Sequence, residues 1–168
     1  MSEDSKGVPW LEIIVALAVI VLIVNIMVPA IWSKKTDING GSAIRSLRMV
    51  VAAEKDYANH FEKGYTTSLT MLGPPPDGTP YPTLVGYLDN ELASGTKEGY
   101  AFVYVPGPPD SKGYIQSYTV NANPAKVGDT GTVRYFVDQT GVIRQNPSRV
   151  ANASDGPITP VPLPDEPK

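Results

Sequence analysis

The chain has no cysteine among its 168 residues and a single histidine. Without cysteine there is no disulfide, no thiolate metal site and no cysteine nucleophile. One histidine, His60, removes most histidine-based metal centres and catalytic triads; it reads as a surface or packing residue. Basic charge is short as well. The net charge is -3 and the pI is near 5.1, so nothing favours nucleic acid as a partner. The sequence carries no glycine-rich phosphate loop, no metal-ligand spacing and no nucleophile constellation. Asp129 and Asp138 fall in turn-like loops without a calcium-loop pattern. Neither an enzyme nor a cofactor is expected.

What the sequence does have is one long apolar run. After MSEDSKGVPWLE comes IIVALAVIVLIVNIMVPAIW, residues 13–32, with Asn25 as its polar member and Pro29 as a breaker. About 20 helical residues reach about 30 Å, the thickness of a bilayer's hydrocarbon core. The residue that needs explaining is Glu12, at the edge of this run. A charged side chain well inside a bilayer costs about 2.5–3.5 kcal/mol or more. Against a secretory signal cleaved near Val28-Pro29-Ala30 stand an apolar core longer than the usual ~7–15 residues and a flank of Glu3, Asp4 and one lysine, Lys6. A plain anchor oriented by Lys34 and Lys35 under the positive-inside rule leaves Glu12 unexplained.

A third reading uses Glu12. Counting from Val8, Glu12 is the fifth residue and Pro29 the twenty-second, and Gly7 precedes the count. In these three marks the stretch resembles the N-terminus of type IV pilins and pseudopilins. That family has a leader ending in glycine, a glutamate five residues into the mature chain, and an apolar helix with a proline near its twenty-second residue. The mature start here is VPWLE where the family commonly has FTLIE, and the leader is acidic where family leaders are commonly basic. Farther on, SAIRSLRMVVAAEKDYANHF followed by GYTTSLTMLGPP is also similar to pilin-like proteins.

The resemblance implies leader cleavage between Gly7 and Val8 by a prepilin peptidase, N-methylation of Val8, and storage of the precursor in the inner membrane. Assembly machinery in that membrane would then pack the chains into a homo-oligomeric helical filament through their N-terminal helices. Glu12 becomes an assembly residue. Cleavage creates a positive amine on Val8 inside an apolar bundle, and a buried charge needs an opposite one. Glu12 supplies it, and an intersubunit pair sets axial register, as buried polar groups do in coiled coils. Pro29 removes a backbone donor and crowds the preceding turn, so a helix kink is expected there. The destination is a cell-surface pilus or, as the alternative, a periplasmic pseudopilus of a type II secretion system. A membrane-anchored binding module is a reading of a different class.

The rest of the chain completes an α+β expectation: a long N-terminal amphipathic and transmembrane helix packed on a small antiparallel sheet. The expected divisions are a leader at 1–7, a transmembrane or filament-core helix at 8–35, an amphipathic helix at 36–64, a loop-and-sheet head at 65–150 and a proline-rich flexible tail at 151–168. In the amphipathic part, Ile44, Leu47, Val51 and Ala58 recur at helical spacing, as do Ala43, Val50, Tyr57 and Phe61. Arg45, Arg48, Lys55 and Asn59 are expected outside, and Gly64 is the expected C-cap. Gly40-Gly41 is the weak point, either a joint or a break. Residues 65–99 are loop-rich, pinned by Leu69, Leu72, Leu84, Tyr87, Leu88 and Leu92, with a short helix near 83–93. Strands are expected at 100–106 and 113–123, and as a pair within 133–146 turning at Asp138–Gly141. In the second strand the alternation puts Tyr114, Gln116, Tyr118 and Val120 on one face and Ile115, Ser117, Thr119 and Asn121 on the other. Asn152-Ala153-Ser154 matches a glycosylation pattern, and the nine tyrosines read as packing residues.

Overall fold

The computed structural model of the chain describes residues 9–75 and 85–158; the side chains of residues 9, 26 and 28–33 also lie outside the description. The chain divides into two compact units, Met1–Lys35 and Thr36–Lys168.

Helix α1 is Pro9–Phe61. Proline suits a first helical position, where its missing N–H would have had no partner. Helical hydrogen bonding continues past Pro29 and through Gly40-Gly41, so neither position ends the helix. In the second unit the two predicted apolar rows merge into one buried stripe: Ala43, Leu47, Val50, Val51 and Tyr57 are buried, with Ile44 and Phe61 packed at its margin. Arg45, Arg48, Lys55 and Asn59 are exposed, on the side their spacing assigned to them.

The helix ends before the glycine expected to cap it. Phe61 is the last helical residue, and Glu62 takes the left-handed conformation with φ +54°. Gly64 serves a different purpose. Its φ is +77°, and a Cβ there would sit 2.1 Å from the Ile115 carbonyl oxygen. Only a residue without a side chain lets the chain turn back against Ile115. There the Tyr65 N–H donates to the Ile115 carbonyl at 2.8 Å.

A single 3-10 turn, Leu69–Leu72, follows. The expected short helix is α2, Asn90–Ala93, capped by the Asp89 carboxylate accepting from the Leu92 N–H at 3.0 Å. Leu69, Leu72, Leu88 and Leu92 are buried, whereas Tyr87 is exposed; Leu84 lies outside the described residues.

Among the described residues, five strands then form an antiparallel meander in the order β1-β2-β3-β4-β5. They are β1 Thr96–Lys97, β2 Tyr100–Pro106, β3 Tyr118–Pro124, β4 Arg134–Asp138 and β5 Arg144–Asn146. Register is set by inward alternation: Phe102 pairs with Ala122 and Val120 with Val137, all facing the core. Together with the stripe of α1 and the four buried leucines, the inner faces make one apolar cluster. The β4–β5 turn is where the sequence put it, with the Gly141 N–H donating to the Asp138 carbonyl at 2.9 Å and Gly141 at φ +77°.

Two further expectations are corrected. The strand expected over 113–123 starts only at Tyr118. Residues 110–116 instead wrap around Asp110, whose carboxylate accepts from the N–H groups of Lys112 and Tyr114 and from the Gln116 side chain. This shifts the alternation, so Ile115 is buried although it was placed on the face opposite Tyr118. The segment expected to be a free tail from Ala151 is instead held as far as Ile158, the last described residue. Ala151 is buried, its carbonyl accepts from the Asn121 side chain at 2.7 Å, and the Ile158 N–H donates to the Ile143 carbonyl at 2.9 Å. Residues 159–168 lie outside the described residues.

Candidate functional site

The candidate site is the N-terminal part of α1. From Trp10 to Asn25 every described side chain is exposed, and all but Glu12 and Asn25 are apolar. Val15 and Leu17, on different sides of the helix, expose 56% and 55% of their surface. A helix of a water-soluble domain buries one apolar stripe and keeps the rest polar. This one is apolar all round, and exposed apolar surface of such extent marks a place where another surface or lipid belongs. Asn25 meets part of its polar need internally, its side-chain amide donating to the Val21 carbonyl at 2.7 Å.

Glu12 lies in the first turn of α1 and is exposed among apolar neighbours. A carboxylate there also meets the unpaired N–H groups and positive end of the helix dipole, worth about 0.3–1 kcal/mol at an exposed site. Gly7 and Val8, the expected cleavage and methylation positions, lie outside the described residues. Pro29 is within α1, and its side chain is among those not described. The expected membrane span over 13–32 runs across the same undescribed side chains. Among the described residues, no helix is long and apolar enough to cross a membrane.

The second unit carries a polar group that sequence reasoning missed. Glu54 is on α1 and fully buried at 0% exposure. It accepts from the Thr66 N–H through Oε2 at 3.0 Å, and its Oε1 is 2.5 Å from Thr66 Oγ1. Burial pushes its carboxyl above the usual carboxylate range, against the hydrogen bonds of Thr66 and Tyr104. The signal was available: Leu47, Val50, Glu54, Tyr57 and Phe61 continue one i, i+3, i+4 stripe, and Glu54 is its polar member.

Nearby, tyrosines pack as rings with polar tips. Tyr104 stacks on Tyr118 with ring centroids 5.5 Å apart, and Tyr65 meets Tyr118 edge-on at 4.8 Å. The Tyr100 hydroxyl donates to the Val133 carbonyl at 2.9 Å, and burial pushes it up to about 12. His60 is exposed beside the Phe61 ring. Among the described residues, no group of histidine, aspartate and glutamate side chains comes together in a way that holds a metal ion. No family model, curated protein or solved structure matches the chain.

Proposed function

We propose that the chain is a structural subunit of a type IV pilus-like filament, cleaved after Gly7 and assembled through its N-terminal helix. The observation that carries this reading is the helix surface from Trp10 to Asn25, apolar on every side and exposed, with one carboxylate near its start. Such a helix is stable only in lipid or among other apolar helices. Before assembly, residues 13–32 rest in the inner membrane. In the filament, the helices of neighbouring subunits replace lipid around one another.

In that setting Glu12 pairs with the amine that cleavage leaves on Val8 of its own or a neighbouring subunit. Unpaired, either charge would be strongly destabilising in an apolar core. Pro29 bends the helix, and local backbone adjustment and neighbouring helices re-satisfy the group its missing N–H leaves free. Glu12→Val is expected to leave the protein in the membrane and abolish filaments; normal filaments from this variant would refute the role given to Glu12.

The intact mass and N-terminal fragments of the native protein, from membranes and from sheared cell-surface material, test the whole reading. The expected product begins at a methylated Val8 and occurs in the sheared fraction. The same product confined to membranes, with a secretion defect on deletion, would place it in a pseudopilus. A chain still beginning at Met1 would mean a plain anchor, and one beginning at Ile31 a secretory signal; either would overturn the proposal.

A further inference from the structure

Filament assembly through the N-terminal helix gives Glu54 no task, yet its surroundings are specific. It is fully buried on the face of α1 that meets the sheet. Charge is far more costly there than a neutral carboxylic acid. Thr66, which is also buried, supplies its closest partners, with the Tyr104 hydroxyl a lesser one. Thr66 Oγ1 lies 2.5 Å from Glu54 Oε1 and 3.1 Å from the Ser68 carbonyl oxygen. The Tyr104 hydroxyl donates to the Thr66 carbonyl at 2.9 Å and sits 3.5 Å from Thr66 Oγ1.

Counting hydrogens distinguishes the two forms of Glu54. A threonine hydroxyl has one hydrogen and two acceptor positions. With Glu54 ionised, that hydrogen is called on by both the carboxylate and the Ser68 carbonyl. With Glu54 neutral, its own O–H donates to Thr66 Oγ1, and the Thr66 hydroxyl donates onward to Ser68. The Thr66 N–H donates to Oε2 in both forms. The neutral acid makes every bond of the Glu54–Thr66–Ser68 chain at once.

The titratable groups facing Glu54 are phenols: Tyr57 from α1, Tyr104 from β2 and Tyr118 from β3, with Asp138 at the end of β4 acting on Tyr118. Among the described residues, no cation is one of the groups acting on Glu54. Segment 64–72 is tied onward, because Tyr65 bonds Ile115 and packs on Tyr118.

We propose that Glu54 is a proton-operated latch: as the neutral acid it ties α1 to segment 64–72 through Thr66, and loss of its proton to water loosens that segment and the 109–117 loop held against it. The sign follows from the buried acid's raised value. Its stabilising contribution is complete below the ordinary carboxylate range and is lost as the pH rises through the raised folded-state value. At this contact protonation of Glu54 tightens the tie between α1 and segment 64–72, and its ionisation loosens it.

The test uses the full chain in detergent micelles with carbon-13 at the glutamate carboxyl positions. Carboxyl shifts and hydrogen exchange of the Thr66 amide, corrected for its intrinsic pH dependence, are followed against pH in the wild type and in Glu54→Gln. The glutamine amide reproduces the neutral acid, donating to Thr66 Oγ1 and accepting from the Thr66 N–H. The expected result is one carboxyl, absent from Glu54→Gln, that stays protonated after the others have titrated. Thr66 protection is lost as that carboxyl ionises, and Glu54→Gln keeps its protection. A Glu54 carboxyl titrating with the others, or equal loss of protection in both proteins, overturns the proposal. If Glu54→Gln does not fold, the wild-type titration decides alone, with the Glu54 carboxyl assigned through its own backbone.

Discussion

Two glutamates on one helix meet opposite environments. Glu12 is exposed among exposed apolar side chains, and Glu54 is buried among buried ones. Among the described residues nothing buries Glu12 or the apolar side chains beside it. Around Glu54 the same chain returns three times, as segment 64–72, β2 and β3, and Thr66 bonds the carboxyl from within. One helix thus presents an outward problem at one end and a solved one at the other. The residue type does not decide a carboxylate's role; what the rest of the chain brings to it does.

The largest expected effect breaks this comparison at its apolar side chains. Leu47 is fully buried, so Leu47→Ala in the full chain in micelles should lower head stability by about 2–5 kcal/mol, transfer and cavity terms together. Leu17→Ala removes the same atoms from an exposed position and should leave the head's urea midpoint unchanged; under the proposed assembly its effect falls on filament yield. Equal losses in head stability would mean that Leu17 is as well packed as Leu47 within a single chain.

A smaller effect sharpens the contrast at neighbouring positions. Gly40 and Gly41 are both helical, but a Cβ on Gly40 would lie 2.9 Å from the Tyr135 hydroxyl, whereas one on Gly41 meets open space. Gly41→Ala should gain up to about 1 kcal/mol from helix propensity. Gly40→Ala should fall below Gly41→Ala by about 1 kcal/mol or more, because the Tyr135 ring has to shift. Equal thermal midpoints would show that Tyr135 yields without cost.

The smallest effect belongs to a surface charge pair. Lys97 bonds the Asp89 carboxylate, and both side chains are partly exposed. Lys97→Met should change stability by less than about 1 kcal/mol, and less again in high salt. A larger loss by denaturant titration would mean the pair holds the α2 cap as well as itself.

Much of the architecture was legible in the residues. The helical stripe from Ala43 to Tyr57, strand β2 and the Asp138–Gly141 turn all rest on short-range patterns that survive in the fold. The misses share a cause. Ile115 reads as part of an alternating strand, yet Asp110 captures the backbone around it, and its carbonyl becomes the partner of Tyr65. Gly64 reads as a helix cap, yet the close approach of that same carbonyl is what requires it. Ala151 reads as the start of a polar, proline-rich tail, yet Asn121, thirty residues earlier, holds it. In the candidate surface, Glu12 stood out because it interrupts apolar neighbours in sequence. Glu54 did not, because acidic residues are ordinary on a helix until the opposite wall is known.

The sequence by itself determined the apolar run with its edge carboxylate, the helical period beyond it and the strand-forming segments, since these depend on neighbours within a turn or a pleat. Tertiary structure alone decided which polar groups go inside, where β3 begins and how far the C-terminal segment is held. Each of those depends on a partner many residues away, whose arrival is settled only when the whole core closes.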